Sequence, residues 1–321
     1  MRWVFNIRFA TFLLILLCCR LGDSDEAAEH EEAVSLVSGY FANFEAVESF
    51  DVLWTCESQW VGENGYIEEG VSSGRLIVDP EKSRCCSVLD RSRTELVATK
   101  DGAIEKRSMA LDVVVSDGKE SWSRSVPQPA SRMKSTKIGD VLRHNSTVFL
   151  PAIGVVAFPV FYGQAPDFRD LIDGTRYGGV RYKLMGEGVN SQTVSYETPV
   201  AGVFTIKRTT ALDSSSFTPT KYSETAVYPD GKVFPKVRES YRFTEHDGLY
   251  LPVGISGEKH NKKTVGETKV KGIEMYDVRI RWFSINEPMG EEYFSPHILN
   301  DIKRITDLVD LKLLDEEVET K

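Results

Sequence analysis

The chain has 321 residues, 41% of them hydrophobic, and a formal net charge of −9 at pH 7. This composition suits a globular protein with a sizeable core. The acidic balance argues against nucleic acid as a partner, because nucleic-acid binding depends on Lys and Arg that neutralise phosphates. It also argues against anionic membrane surfaces and favours solubility.

The N-terminus predicts an export signal. Arg2 and Arg8 lie in a basic start, and residues 9–19 (FATFLLILLCC) form a short apolar core. These are the features of a secretory signal peptide. We expect cleavage after Ser24, so that residues 1–24 are removed and the protein reaches an extracytoplasmic space, either the periplasm or the medium.

The mature chain, residues 25–321, is predicted to be one domain with a helical and apolar insertion at about 136–176. A lipid anchor on Cys18 or Cys19 is disfavoured, because the small residues of a lipidation signal do not precede them. An uncleaved membrane anchor is disfavoured too, since the apolar core is short. We therefore expect no integral membrane protein after cleavage.

The mature chain begins with a predicted helix. Apolar residues between Ala33 and Val47 recur at i, i+3, i+4 and i+7. This spacing is typical of an amphipathic helix of about five turns. Gly39 is a mild weakness in it, because glycine has a low helix propensity.

From Phe50 the apolar pattern changes to a period of two, which predicts a half-buried strand over Phe50–Trp60. Further strands follow as far as Ile285. Several are separated by turn sequences that contain Asp-Gly, as at residues 116–119, 229–232 and 245–248. The regular spacing of these hairpins predicts one continuous antiparallel sheet.

The uncharged stretch Val148–Tyr162 (VFLPAIGVVAFPVFY) interrupts the strands. It is shorter than the roughly 18–20 residues that cross a bilayer. Pro151 and Pro159 also prevent one smooth helix. We expect this segment to fill the concave face of the sheet.

A C-terminal helix is predicted after the last strand. Ser295 is a suitable N-cap and Pro296 suits the first helical position. Four apolar residues behind them lie at helical spacing: Ile298, Ile302, Ile305 and Val309.

This order of parts resembles the exported lipoprotein-carrier-like (LolA/LolB-like) half-barrel superfamily. Two phrases carry the resemblance in sequence: Asp247–Pro252 (DGLYLP), and Ser284–Pro288 (SINEP) leading to Tyr293-Phe294. The fold class expected is therefore α+β, a single curved, mostly antiparallel sheet that forms an open half-barrel with helices packed on its concave face. The resemblance implies a cavity suited to acyl chains.

The sequence predicts no cofactor and no metal. Its five histidines are scattered, and no phosphate-binding loop or nucleophile motif is present. Three cysteines follow the leader: Cys56, Cys85 and Cys86. Adjacent residues of a strand point to opposite faces, so at most one of Cys85 and Cys86 can meet Cys56. We predict buried free thiols, with one disulfide to Cys56 as the alternative.

Two further groups of residues have both a functional and a plain structural interpretation. The lysine-rich run His260–Gly272 is predicted to be a charged edge hairpin, and contact with anionic headgroups is the alternative. The aromatic residues on the predicted inner face are candidates to line a ligand cavity, and ordinary core packing is their alternative. These candidates are Trp54, Trp60, Phe149, Phe158, Phe161, Tyr276 and Trp282.

The leading hypothesis is an exported, non-catalytic envelope protein that binds a hydrophobic ligand, such as a lipid or the acyl chains of a lipoprotein. The first alternative is a structural or sensory envelope protein with a closed core that acts through protein partners. The second alternative is a hydrolase whose groups converge only in the fold.

Overall fold

A computed structural model of the chain describes residues 28–39, 42, 46, 49–79, 81–99, 102–134, 183–188, 190–200, 202–310 and 312–315. The predicted signal peptide, the insertion at about 136–176 and the apolar segment Val148–Tyr162 lie outside these residues. The candidate cavity residues Phe149, Phe158 and Phe161 lie outside them too.

Residues 28–39 form the first helix, α1. Ala33, Leu36 and Val37 are buried at the spacing of one helical face, as predicted. Gly39 has a definite role, because a Cβ there would lie 2.8 Å from Cγ of Phe217. Phe217 itself has a positive φ of 57°, which is uncommon for a bulky residue.

Thirteen strands follow and form a single sheet. Their bounds are β1 Phe50–Gly62, β2 Ile67–Asp79, β3 Arg84–Thr99, β4 Gly102–Ser116, β5 Ser121–Val126, β6 Ser131–Arg132, β7 Lys183–Gly188, β8 Ser191–Val200, β9 Phe204–Asp213, β10 Pro219–Val227, β11 Val233–His246, β12 Leu249–Val265 and β13 Thr268–Ile285.

The order across the sheet is β6-β5-β4-β3-β2-β1-β13-β12-β11-β10-β9-β8-β7, and each neighbouring pair is antiparallel. Two meanders, β1–β6 and β7–β13, therefore meet where the first strand pairs with the last. The sheet is large, open and curled, with few helices in the described chain. The predicted half-barrel fold class is confirmed.

One face of the sheet, here called the N-terminal face, carries Phe50, Val52 and Trp54 of β1 together with Val278 and Ile280 of β13. Helix α1 packs against it through its buried residues. The apolar core on this face extends from Val114 on β4 to Val194 on β8.

The opposite face, here called the C-terminal face, is covered by residues 291–310 and 312–315, the C-terminal segment. This segment contains 3₁₀ turns at Glu291–Tyr293 and Pro296–Asn300, helix α2 at Ile302–Leu308 and helix α3 at Lys312–Asp315. Its buried residues, among them Phe294 and Ile305, pack on Leu53, Ile77 and Val113 of the sheet.

The C-terminal segment corrects two predictions. Strand β1 is buried on both faces as far as Cys56, rather than half-buried, because the segment covers Asp51 and Thr55. The predicted single C-terminal helix is broken at Asp301, whose side chain caps α2 by accepting from the Arg304 amide at 3.0 Å. Ile302 is consequently exposed, although its predicted partner Ile305 is buried.

The predicted edge hairpin His260–Gly272 is not an edge of the whole sheet, but His260–Val265 pair with no strand except β13, so the prediction holds for the end of this hairpin only. This run forms the hairpin between β12 and β13, two strands in the interior of the sheet order. Among the described residues, no helix is long and apolar enough to cross a membrane.

Candidate functional site

Two of the predicted cavity residues are core residues of the N-terminal face. The Trp54 ring lies over Gly74 of the neighbouring strand, where a Cβ would be 2.3 Å from its Cζ2 atom. The Trp282 ring meets Phe50 edge-on, with centroids 5.9 Å apart, and its Nε1 donates to the Pro252 carbonyl at 2.9 Å. Both side chains belong to the apolar core that α1 joins.

Trp60 is on β1, as Trp54 is, but it lies beyond the apolar core. Its ring rests on Gly272, and its Nε1 donates to Oδ1 of Asn261 at 2.6 Å. The ammonium group of Lys263 sits 5.4 Å from the ring centroid and pairs with Glu68 at 3.0 Å. Trp60 is therefore buried under polar side chains rather than apolar ones.

Tyr276, the fourth described candidate, belongs to a buried polar cluster. The hydroxyl groups of Tyr276 and Tyr241 both donate to the carboxylate of Glu239. Glu239 is only 3% exposed, and burial raises its pKa, although the two hydroxyl donors act in the opposite direction. Gly257 makes this arrangement possible, since a Cβ there would lie 2.9 Å from Cγ of Glu239 and 3.0 Å from Cζ of Tyr276.

A second polar group adjoins the first on β8, β9 and β10. Arg208 donates through Nε to Glu224 at 3.1 Å and through Nη1 to Thr198 at 3.1 Å. The Tyr222 hydroxyl donates to the same Glu224 carboxylate at 3.2 Å. The guanidinium of Arg208 also lies over the Tyr196 ring at 5.3 Å. The chain thus places ionisable groups on a mainly apolar face.

Sequence reasoning missed both polar groups. One sequence signal could have revealed them: a charged residue at a position that the strand period assigns to the buried face. Glu224, between Tyr222 and Ala226, is an example. Such a residue must find a partner in the fold, because an unpaired buried charge is costly.

The thiols Cys56, Cys85 and Cys86 are free and buried, as predicted. Cys85 packs in the core of the N-terminal face and Cys86 in that of the C-terminal face. Burial raises the pKa of Cys56 and of Cys86 to about 12, and it raises that of Cys85 as well. Protonated, buried thiols are poor nucleophiles.

The C-terminal face is organised by arginines that bind the C-terminal segment. Arg75 forms a two-point ion pair with Asp51, at 2.8 and 2.7 Å, and its Nη1 reaches the Leu308 carbonyl at 3.5 Å. Arg124 and Arg281 donate to the carbonyls of Leu299 and Leu313, respectively. Carbonyls that end helical turns lack partners within their helix, so these arginines satisfy them.

A groove of about 1270 Å³ crosses the uncovered part of the C-terminal face. Most of its lining residues form two neighbouring cross-strand rows that run from β2 to β8. Glu57 and Asp277 make one end acidic, and Lys221 lies toward the other end, where Arg238 is paired with Glu258 at 3.2 Å. Of the predicted cavity residues that the structure describes, Tyr276 borders this groove and the three tryptophans do not.

Within the described ranges, no group of three or more His, Cys, Asp and Glu side chains could hold a metal ion. The two polar clusters of the N-terminal face and the groove of the opposite face are thus sites for hydrogen bonding and ion pairing.

No protein-family model matches the chain, and no curated protein matches it. Among solved structures, a DUF1329 family protein from Desulfovibrio piger is similar, with a TM-score of 0.39 and 8% identity over 84% of this chain and 99% of its own. A LolA superfamily protein from Nitrosomonas europaea has a TM-score of 0.32 and 13% identity over 83% and 98%.

The Pseudomonas aeruginosa MucA/MucB complex gives a TM-score of 0.23 at 10% identity, with coverage of 78% and 94%. The half-barrel fold itself rests on the sheet described above.

Proposed function

We propose that this protein is an exported, non-catalytic protein of the cell envelope that binds a hydrophobic ligand, a lipid or the acyl chains of a lipoprotein. The ligand lies against the N-terminal face of the curled sheet. Export by the signal peptide over residues 1–24 is part of the proposal.

The width of the apolar N-terminal face is the observation that carries this proposal. Its core extends over the ten strands from β4 to β8 in the sheet order. At about 4.8 Å per strand, that is roughly 43 Å. Helix α1, with twelve residues, is about 18 Å long and roughly 10 Å across. Among the described residues, helix α1 spans only part of a face this wide, and the proposed acyl chain would lie along the remaining apolar width.

Three of the predicted lining residues, Trp54, Tyr276 and Trp282, share this core. The cluster around Glu239 and Tyr276 lies on the same face and supplies the few polar groups that fix a ligand's orientation in such sites. Trp60, Phe149, Phe158 and Phe161 remain predicted lining residues.

The test is native mass spectrometry of protein purified from its own envelope, together with analysis of an organic extract. We expect a bound lipid mass that disappears on extraction. A single unliganded mass with no lipid in the extract would contradict the proposal.

A matched pair of variants locates the ligand. Trp282 and Phe283 are neighbours on β13 but pack on opposite faces. Trp282→Ala should lower the uptake of a fluorescent fatty-acid probe, and Phe283→Ala should leave uptake unchanged at a temperature where both variants are folded. Equal loss in the two variants would place the ligand elsewhere.

The second candidate is a structural or sensory envelope protein that acts through protein partners. It is favoured by the complete burial of core residues such as Ile255 and Val278, both 0% exposed. A closed core would give no probe uptake in the wild-type protein, whereas the ligand-binding function requires it.

A further inference from the structure

Three hairpin turns lie together at one end of the sheet. They join β8 to β9, β10 to β11 and β12 to β13. Because neighbouring antiparallel strands alternate in direction, all three turns point the same way. We call this end of the sheet the hairpin rim.

The hairpin rim exposes large apolar side chains. Val203, Val233 and Phe234 are 55%, 59% and 48% exposed, respectively. Phe234 also belongs to an aromatic trio, in which its ring lies 5.4 Å from that of Tyr228, and Tyr228 lies 5.4 Å from Phe204. A clustered apolar surface of this kind marks a site of interaction.

Basic side chains lie at the same rim, three of them on the opposite face of the sheet from the aromatic trio. Lys262, Lys269 and Lys271 are exposed in the β12–β13 hairpin, and Lys236 lies 5.9 Å from the Phe204 ring centroid. One acidic residue, Glu267, occupies the same turn as the exposed lysines.

Acidic partners neutralise other lysines nearby. Asp230 pairs with Lys232 at 2.6 Å, and Lys263 is shared by Glu68 at 3.0 Å and Glu274 at 3.6 Å. The adjoining β1–β2 turn adds exposed Glu63, whose amide donates to the Lys271 carbonyl at 2.9 Å. The three exposed lysines Lys262, Lys269 and Lys271 therefore outnumber the exposed carboxylates Glu63 and Glu267 by one.

Most of β12 and β13 has a strand on both sides, because the two strands lie inside the sheet order. The hairpin ends also extend beyond the neighbouring strands: Lys259 pairs with Val237 of β11, and the residues from His260 onward pair only with β13. Their charge is therefore available to a partner outside the molecule.

We propose that the hairpin rim docks on an anionic bilayer surface. The exposed Val233 and Phe234, with the aromatic trio, enter the boundary between headgroups and acyl chains, where aromatic rings are favoured. Lys262, Lys269 and Lys271 bind headgroup phosphates.

The net charge of −9 does not prevent this contact. Charges separated by more than about 8 Å are largely screened at physiological ionic strength. The local charge of the hairpin rim therefore decides the sign of its interaction with a membrane.

The experiment is co-sedimentation of the mature chain with vesicles of phosphatidylglycerol and phosphatidylethanolamine, and with phosphatidylcholine vesicles as the neutral comparison. We expect binding to the anionic vesicles that weakens as salt is raised. Each lysine near an anionic surface contributes about 1 kcal/mol, so Lys262→Glu with Lys269→Glu should weaken binding at least about tenfold. Phe234→Ser, or Val233→Ser in its place if that variant does not fold, should also weaken it.

The controls carry the same changes elsewhere. Lys119→Glu with Lys303→Glu reverses two exposed lysines, one of them in the turn at the opposite end of the sheet. Ile302→Ser removes an apolar side chain that is 43% exposed. These variants should bind like the wild type.

Absence of wild-type binding, equal binding to neutral vesicles, or equal losses in the rim and control variants would each overturn the proposal. Vesicle binding is measured without a bound ligand, so its failure is separate from failure of the proposed ligand-binding function.

Discussion

Two buried carboxylates, one on each face of the sheet, are held in different ways. Asp51 on the C-terminal face is 5% exposed and meets the guanidinium of Arg75 at two points. Glu239 on the N-terminal face is 3% exposed and accepts from the hydroxyl groups of Tyr241 and Tyr276. One carboxylate has a cationic partner and the other has neutral donors.

The two carboxylates differ in the charge of their partners, and this difference determines how each site responds to pH. Burial alone would lower the pKa of Arg75, but the hydrogen bond and the charge of Asp51 raise it, so the guanidinium stays charged. Glu239 is surrounded by hydroxyl donors, and burial raises its pKa. The C-terminal face thus contains a buried ion pair. The N-terminal face contains a buried carboxyl group, Glu239, whose charge responds to pH.

The largest expected effect comes from breaking the ion pair. Asp51→Asn leaves the Arg75 charge buried without its partner, which should lower the free energy of unfolding by about 3–5 kcal/mol. Urea unfolding measures this loss. As a control, Asp230→Asn removes an exposed partner of Lys232 and should change stability little. Equal effects would mean that the Asp51 pair contributes no more than a surface pair.

The Tyr–Glu cluster can be disturbed through the glycine beneath it. Gly257→Ala places a Cβ 2.6 Å from the Arg238 carbonyl and close to both Glu239 and Tyr276. Crowding of this kind should lower the free energy of unfolding by about 1–3 kcal/mol. In the Glu239→Gln background the loss should be smaller, because the hydrogen bonds between residue 239 and the two tyrosine hydroxyl groups are already weakened. A full, unchanged loss there would show that only the backbone clash matters.

The pH dependence of stability sharpens the comparison further. The folded pKa of Glu239 lies above the ordinary value of 4.5, so the folded state binds the extra proton in the window between the two values. This contribution to stability is present below pH 4.5 and is lost as pH rises through the folded pKa. Glu239→Gln should therefore gain stability relative to the wild type as pH rises. Urea midpoints measured from pH 4 to 8 test this, and a constant difference would exclude the linkage.

The smallest effect concerns the buried thiols. Cys86 packs beneath the C-terminal segment and Cys56 lies in the opposite core. In the native wild type both should resist alkylation at pH 8, because the pKa of each is about 12. Asp51→Asn should speed the labelling of Cys86 more than that of Cys56, as read by peptide mass mapping. Equal acceleration would mean that the two faces open together.

Local patterns in the sequence predicted the strands well, because a period of two and the Asp-Gly turns depend on neighbouring residues. The half-barrel class followed from these patterns and from the resemblance. Burial of Asp51 and Thr55 could not be predicted in this way, since the segment that covers them begins more than two hundred residues later. The need for glycine at position 39 could not be predicted from nearby residues either, because the Phe217 ring that requires it is on a turn distant in sequence.

Strand order was the other source of error. A charged hairpin is typical of a sheet edge, but pairing of the last strand with the first places β12 and β13 in the interior, and only the hairpin end from His260 onward lacks a further neighbour on the β11 side. The candidate aromatic residues were recognised from their face, whereas Glu239 and its tyrosine partners depend on cross-strand neighbours that only the register brings together.

The meeting of β1 and β13 has a consequence for how the protein unfolds. Helix α1 precedes the first meander, yet its Gly39 contacts Phe217 of the second meander. The C-terminal segment follows the second meander, yet it packs on β2, β3 and β4 of the first. Each meander therefore depends on the other for part of its covering layer, and neither can complete a core alone. A sheet of this length should consequently melt in one cooperative transition, with the same midpoint whichever meander carries the spectroscopic probe.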